Sequence, residues 1–259
     1  EDFVAKRIFI EKSEALRLSG LREIYFGKRL KNRENIARYI EHFTLPRSTS
    51  KISKSESHLE DLWIIFRDEG LSLRSYLYET RHMITTPSPF WRRMRLQHDG
   101  EKVLREIIKQ LLTAIQGCHS MNIAHRDIKP GNLIINSKEF PPKLRLADFG
   151  SAVVELEMSP GYSTGFLYDE TGPSQEDETG EYMPPEVKLS NTLPYARYGT
   201  RNAIAGAKQY DMWSIGVVWL EILLANKAPF EISDKAKKII EHRLSRQGIH
   251  DRKDVERAF

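Results

Sequence analysis

Two polar runs set close together constrain this chain more than anything else in it. The first is His125-Arg126-Asp127-Ile128-Lys129-Pro130-Gly131-Asn132, and the second is Ala147-Asp148-Phe149-Gly150. Asp127 and Asp148 lie 21 residues apart. Between them Leu133-Ile134-Ile135 and Leu144-Arg145-Leu146 read as short strands flanking a Pro141-Pro142 turn. Upstream, Val103, Leu104, Ile107, Ile108, Leu111, Leu112 and Ile115 recur at helical spacing and lead straight into the first run. The polar residues of the two runs are a carboxylate able to orient a hydroxyl, a mobile cation, and two oxygen donors suited to a hard metal ion. Two ordered motifs at this separation leave a chance cluster of polar loop residues negligible weight.

The rest of the chain divides by composition. Phe3 to Ile10 alternates imperfectly and predicts a strand, Leu16 to Leu30 a helix, and Ile36 to Phe43 a returning strand. Residues 44–58 are rich in Ser and Lys without periodicity, as a solvated insert would be. Leu62-Trp63-Ile64-Ile65-Phe66 is a continuous apolar run that predicts a central strand. Ser72 to Tyr78 begins a helix, and an excursion containing Pro and Arg occupies residues 82–98. Later, Asp211 opens an apolar helix through Trp213 to Ala225. That stretch is too short to span a bilayer and contains Glu221, so it predicts a buried helix. The single Cys118 excludes an internal disulfide framework and suits a reducing, intracellular setting, cytoplasmic or nuclear. The net charge of +4 is dispersed among interleaved acids, with no nucleic-acid footprint.

In H-R-D-x-K-x-x-N followed by D-F-G the chain resembles the eukaryotic protein kinases of the serine/threonine type. The resemblance implies an α+β fold of two lobes. A truncated β-rich lobe with its hinge would span residues 1–69, and a mainly helical lobe, incomplete at its end, residues 70–259. It implies transfer of the ATP γ-phosphate to Ser or Thr hydroxyls of a protein substrate. Asp127 would then orient the acceptor hydroxyl, and Lys129 would follow the moving phosphate. Asn132 and Asp148 would hold Mg2+. Lys6 in Val4-Ala5-Lys6 matches the strand lysine of the family, with Glu23, 17 residues on, as its ion-pair partner. Phe66 takes the gatekeeper position, and Arg67, Asp68 and Glu69 the hinge whose backbone bonds adenine. Ala5 and Ile134 would sandwich the base, although plain core packing accounts for these apolar residues equally well. His125 takes a structural place in the apolar column that joins the lobes, with Phe149.

Several positions depart from the family pattern. Gly27 stands four residues after Glu23, where a large apolar residue normally joins that column; Phe26 could replace it by a small rotation. Only five residues precede Lys6, so the glycine-rich hairpin over ATP is expected to be missing and nucleotide binding to be weak. Pro184-Pro185-Glu186 stands for A-P-E, and Glu186 is expected to lack its usual arginine partner. About 25 residues separate Glu186 from Asp211, which implies an insert. Thr179 matches the threonine that contacts Asp127 and Lys129. Arg126 invites an activation segment ordered by phosphate on Ser163, Thr164, Thr171 or Ser174, or by the acids Glu176-Asp177-Glu178. The alternative to an active enzyme is a pseudokinase that acts as a protein-interaction or regulatory module, with a regulatory protein as partner.

Overall fold

The computed structural model describes residues 2–10, 13–46, 60–96, 99–138, 141–154, 167–168, 179–188, 201–231 and 233–246. Strand β1 (Phe3–Ile8) leads to helix α1 (Glu14–Arg29), then β2 (Tyr39–Pro46) and β3 (Glu60–Arg67). The three strands form an antiparallel sheet in the order β1-β3-β2. The apolar run Leu62–Phe66 is therefore central, as its composition predicts. Ser13 caps α1 by accepting from the Leu16 N–H at 3.2 Å, and Lys28 and Arg29 close its last turn. The expected strand over Ile36–Phe43 begins three residues late. Asn35 takes a positive φ of 58°, and Ile36 instead bridges Leu146, leaving Tyr39 as the first strand residue.

Past Gly70 the chain becomes mainly helical. Gly70 sits at φ +113°, and a Cβ there would meet the Ile135 carbonyl oxygen at 2.3 Å. Strand β4 (Leu71–Ser72) and helix α2 (Leu73–Leu77) follow, and then a feature that composition alone did not disclose. Strands β5 (Tyr78–Arg81) and β6 (Ile84–Pro87) make a hairpin turned by His82 and Met83, both at positive φ, and it feeds helix α3 (Pro89–Leu96). Helix α4 (Gly100–His119) buries Val103, Leu104, Ile107, Leu111 and Ile115 on one face, the periodicity read from sequence.

Strand β7 (Ile123–Ala124) enters the first polar run, and β8 (Leu133–Asn136) and β9 (Lys143–Leu146) form the expected hairpin between the two runs. Strand β10 (Val153–Val154) returns to pair with β7. A short helix α5 (Pro185–Lys188), a long α6 (Arg201–Leu224) and an amphipathic α7 (Asp234–Arg246) complete the described elements. Helix α6 does not open at Asp211, as its apolar onset suggests. It starts ten residues earlier, and Asp211 sits fully buried inside it. Residues 201–210 are rich in Ala and polar helix formers and carry no apolar period, so pattern reading passes over them. One core joins α1, α2, α4, β8, β9 and α6 through Phe26, Leu73, Leu111, Leu133, Leu146 and Val218. No described helix is long and apolar enough to cross a membrane.

Candidate active site

The two polar runs meet because β8 and β9 bring their ends together. Leu133 pairs with Leu146, and the Ala147 N–H donates to the Asn132 carbonyl at 2.9 Å. Asp127 is 8% exposed and collects three donors. Lys129 Nζ lies 2.6 Å and Asn132 Nδ2 2.9 Å from its Oδ2, and the Thr179 hydroxyl donates to its Oδ1 at 2.7 Å. Lys129 also reaches the Thr179 oxygen at 2.7 Å. Asn132 donates a second bond to the Asp127 carbonyl at 2.8 Å, which fixes its amide and leaves Oδ1 as its remaining polar atom.

Behind this cluster stands a second group of charges. Lys6 Nζ on β1 lies 2.7 Å from Glu23 Oε2 on α1 and 3.1 Å from Asp148 Oδ1. Burial alone would lower the Lys6 pKa, but its two carboxylate neighbours outweigh it and raise it. The Glu23 carboxyl, 4% exposed, is pushed up to about 7, chiefly by burial and further by the charge of Asp148, against the pull of Lys6. The opposite balance holds at Asp148. Burial pushes its carboxyl up, but Lys6, His125 and Lys129 together hold it below the ordinary carboxylate range. Asp148 therefore stays ionised beside the cation that Glu23 helps to fix.

A cavity of about 460 Å3 opens over this group. Ala5, Lys6, Glu23, Phe66, Asp68, Glu69, Asn132, Ile134 and Asp148 all line it, so the structure brings together every residue singled out for nucleotide and metal. The hinge backbone is used unevenly. The Arg67 N–H donates to Arg38 O and the Asp68 N–H to Asp2 O, both at 2.9 Å. The Glu69 N–H has no protein acceptor among the described residues. Asp68 cannot offer its N–H to a base, and its carboxylate instead closes a turn on the Gly70 N–H at 2.9 Å. The Glu69 side chain points away from such a role too. Its carboxylate is held by Arg38, at 2.5 and 2.9 Å, and by Arg145 at 2.8 Å. The Glu69 N–H is thus the hinge donor left open toward the cavity among the described residues.

The donor set suits Mg2+ only with help from a ligand. Among the described residues no cluster of three or more His, Cys, Asp or Glu could hold a metal alone. Asp148 and the Asn132 Oδ1 would supply two hard oxygens, the number Mg2+ commonly takes from a protein when phosphates and water supply the rest.

The Gly27 departure has a structural answer. A Cβ at Gly27 would lie 2.9 Å from Tyr39 Cβ, Cγ and Cδ2, so the tyrosine of β2 fills the space of the missing side chain. Phe26, fully buried, stacks toward Phe149 with centroids 6.4 Å apart, and Phe149 meets His125 edge-on at 4.7 Å. The column is continuous, with Phe26 standing in. His125 Nε2 donates to the Ala147 carbonyl at 3.0 Å while its Nδ1 accepts the Asp127 N–H at 3.2 Å, so both ring nitrogens are engaged within this packing.

Asp211 carries more than its sequence position suggests. From inside α6 it accepts the His125 N–H at 2.9 Å, the Arg126 N–H at 2.8 Å and the His119 ring at 2.7 Å. It thereby holds Arg126 at a left-handed φ of 67°, just before Asp127. Asp148 is likewise left-handed, at φ 64°. Only the spacing from the His125 run to the apolar helix could have flagged Asp211. Arg126 itself is buried, with its guanidinium 3.3 Å from the Ser151 carbonyl. Ser163, Thr164, Thr171, Ser174, the acids 176–178 and the Glu186 side chain all lie outside the described residues.

Comparison with known proteins agrees with this geometry. The model of the protein kinase domain matches residues 1–258. The chain is 31% identical to a probable inactive protein kinase of Arabidopsis thaliana, over 91% of this chain and 72% of that protein. It is 31% identical to a putative CBL-interacting protein kinase 27 of Oryza sativa subsp. japonica, over 63% of this chain and 34% of that protein. It is 29% identical to MAP kinase-activated protein kinase 5 of Mus musculus, over 61% and 32% respectively. The aligned part is about a third of the rice and mouse proteins. With its α+β architecture and the family model spanning almost its whole length, the chain belongs to the protein kinase family.

Proposed function

We propose that the chain transfers the γ-phosphoryl group of ATP to Ser or Thr hydroxyls of a protein, with residues 1–69 and 70–259 as its two lobes. The observation that carries this reading is the Asp127 cluster. A carboxylate offers about four lone-pair sites, and Lys129, Asn132 and Thr179 occupy three, leaving one for an incoming hydroxyl. Asp127 orients that hydroxyl and takes its proton as the bond from the hydroxyl oxygen to the γ-phosphorus forms and the bond to the bridging oxygen breaks, releasing ADP. Lys129 places a positive charge where the transferring group passes. Lys6, held by Glu23, faces the α- and β-phosphates. Asn132 and Asp148 would hold Mg2+, which when bound would neutralise phosphate charge. Phe66, Ala5, Ile134 and the Glu69 backbone form the adenine end.

The second reading, an inactive module that works by binding a regulatory partner, has one observation in its favour: the Arabidopsis relative is named a probable inactive kinase. Against it stands the engaged set of Lys6, Glu23, Asp127, Asn132 and Asp148 in one site. Radiolabelled γ-phosphate with a mixed protein acceptor separates the two. Phosphoserine and phosphothreonine are expected as products, and Asp127→Asn is expected to remove about a hundredfold or more of the rate. Phosphotyrosine as the main product overturns the substrate class. Folded protein that binds Mg·ATP without any transfer overturns the enzyme.

A further inference from the structure

One exposed stretch of this molecule combines a local excess of positive charge with bare apolar side chains. Residues 71–96 carry five arginines (Arg74, Arg81, Arg92, Arg93, Arg95) against the single acid Glu79, a local net charge of +4. All five are exposed. Arg81 pairs with Glu79 at 3.1 Å and the charge of Arg74 acts on Glu221, but Arg92, Arg93 and Arg95 have no ion-pair partner among the described residues. Several surface cations elsewhere are neutralised locally, as in Arg17–Glu14, Lys102–Asp99 and Arg105–Glu101. The same stretch holds the three most exposed large apolar side chains among the described residues: Met83 at 97%, Leu96 at 87% and Ile84 at 66%. Two of them form the tip of the β5–β6 hairpin, and the third ends α3. The bare apolar side chains contribute nothing to this protein's own core, and exposing them to water is unfavourable.

The stretch is also firmly mounted. Trp91 of α3, fully buried, donates from its indole N–H to the Ile222 carbonyl of α6 at 3.0 Å and packs edge-on against Tyr78 at 5.2 Å. Tyr78 donates to Glu221 Oε1 at 2.5 Å, and Tyr182 donates to Oε2 of the same carboxylate at 2.7 Å. Tyr182 in turn closes the short turn on Thr179, which bonds Asp127. Arg74 and Tyr78 line a small cavity of about 110 Å3 together with Lys129 and Thr179. The basic, apolar surface therefore begins at the wall of the acceptor side.

We propose that Leu71–Leu96 is a docking surface for an acidic protein segment bearing apolar residues. Resting on the kinase reading above, that segment belongs to the acceptor protein and holds its hydroxyl near Asp127. Charge complementarity selects the sign of the partner. The exposed tips of Met83, Ile84 and Leu96 call for apolar residues in it, and continuity with the Lys129–Thr179 cavity favours a polypeptide over a lipid surface.

The test uses a fluorescein-labelled peptide rich in Asp and Glu with interspersed Leu, its counterpart with the acids replaced by Lys, and phosphatidylcholine vesicles with and without phosphatidylserine. Two variants are compared with the native protein: Arg92→Glu/Arg93→Glu/Arg95→Glu, and Met83→Ser/Ile84→Ser. The native protein should bind the acidic peptide and not the basic one, with affinity falling steeply between about 0.05 and about 0.5 M salt. Each variant should weaken binding by about tenfold or more while keeping its thermal stabilisation by Mg·ATP, which certifies the fold. Equal binding of both peptides, unchanged affinity in both variants, or binding to anionic vesicles without binding to the peptide overturns the proposal. Peptide binding that survives in a protein without phosphoryl transfer refutes the kinase reading and leaves the surface standing. Transfer to an unrelated acceptor without peptide binding does the reverse.

Discussion

Asp127 is held by three side chains from two parts of the chain, and one of them, Thr179, arrives from 52 residues downstream. Thr179→Ala frees Asp127 Oδ1 and one contact of Lys129, without touching the nucleotide cavity. Turnover should fall by about tenfold or more, and Mg·ATP affinity should stay within about twofold, as expected of an interaction made on the acceptor side. Glu23 gives a second residue-level prediction. Its carboxyl sits at about 7 in the folded protein, above an unfolded value of about 4.3. The folded state therefore holds a proton that the unfolded state releases. The resulting stability is fully present below about pH 4.3 and is lost as pH rises through about 7. The melting temperature of the native protein relative to Glu23→Gln should decline from pH 5 to pH 8. A difference that is flat with pH would mean that Lys6 holds Glu23 ionised throughout. The left-handed Arg126 and Asp148 were invisible in sequence, because no composition signal marks a non-glycine residue held at positive φ by a distant carboxylate or by an ion pair.

Elements show where local pattern suffices and where it does not. The α4 face, the central β3 and the β8–β9 hairpin were legible because their apolar periods are strong and uninterrupted. The β5–β6 hairpin was not: a His-Met turn lacks the usual Asn-Gly signature, and its strands are mostly polar. Helix α1 yields a test that inverts a common rule. Gly→Ala inside a helix ordinarily stabilises by about 1 kcal/mol. Gly27→Ala should instead lower the melting temperature, because its methyl would press on the Cβ and ring of Tyr39 at 2.9 Å. A higher melting temperature would show that Tyr39 does not fill this space. In α6, Asp211→Ala strands the buried N–H groups of His125 and Arg126. A loss of about 1–3 kcal/mol for each is expected, with turnover falling alongside stability. Stability unchanged on calorimetry would refute the anchoring role.

At the scale of the molecule, charged side chains among the described residues tie its sheet to its helical part. Glu69 is shared by Arg38 and Arg145 beside the hinge, Lys6 joins Glu23 to Asp148, and Arg22 of α1 donates to the Gly150 and Leu167 carbonyls. The motifs of the site were readable as a list of residues, since Asp127, Lys129, Asn132 and Asp148 are local in sequence. Their assembly was not, because Lys6, Glu23, Thr179 and Asp211 reach them only through the fold. On the proposed function the site has two ends, a nucleotide end dependent on Asp148 and an acceptor end dependent on Asp127. The most direct measurement follows both ends on one set of proteins, recording thermal stabilisation by Mg·ATP and phosphoryl transfer for native protein, Asp127→Asn and Asp148→Asn. Asp127→Asn should keep the nucleotide stabilisation while losing transfer, and Asp148→Asn should lose the Mg2+-dependent stabilisation itself. Full transfer by Asp127→Asn, or unaltered Mg·ATP stabilisation in Asp148→Asn, would contradict that division.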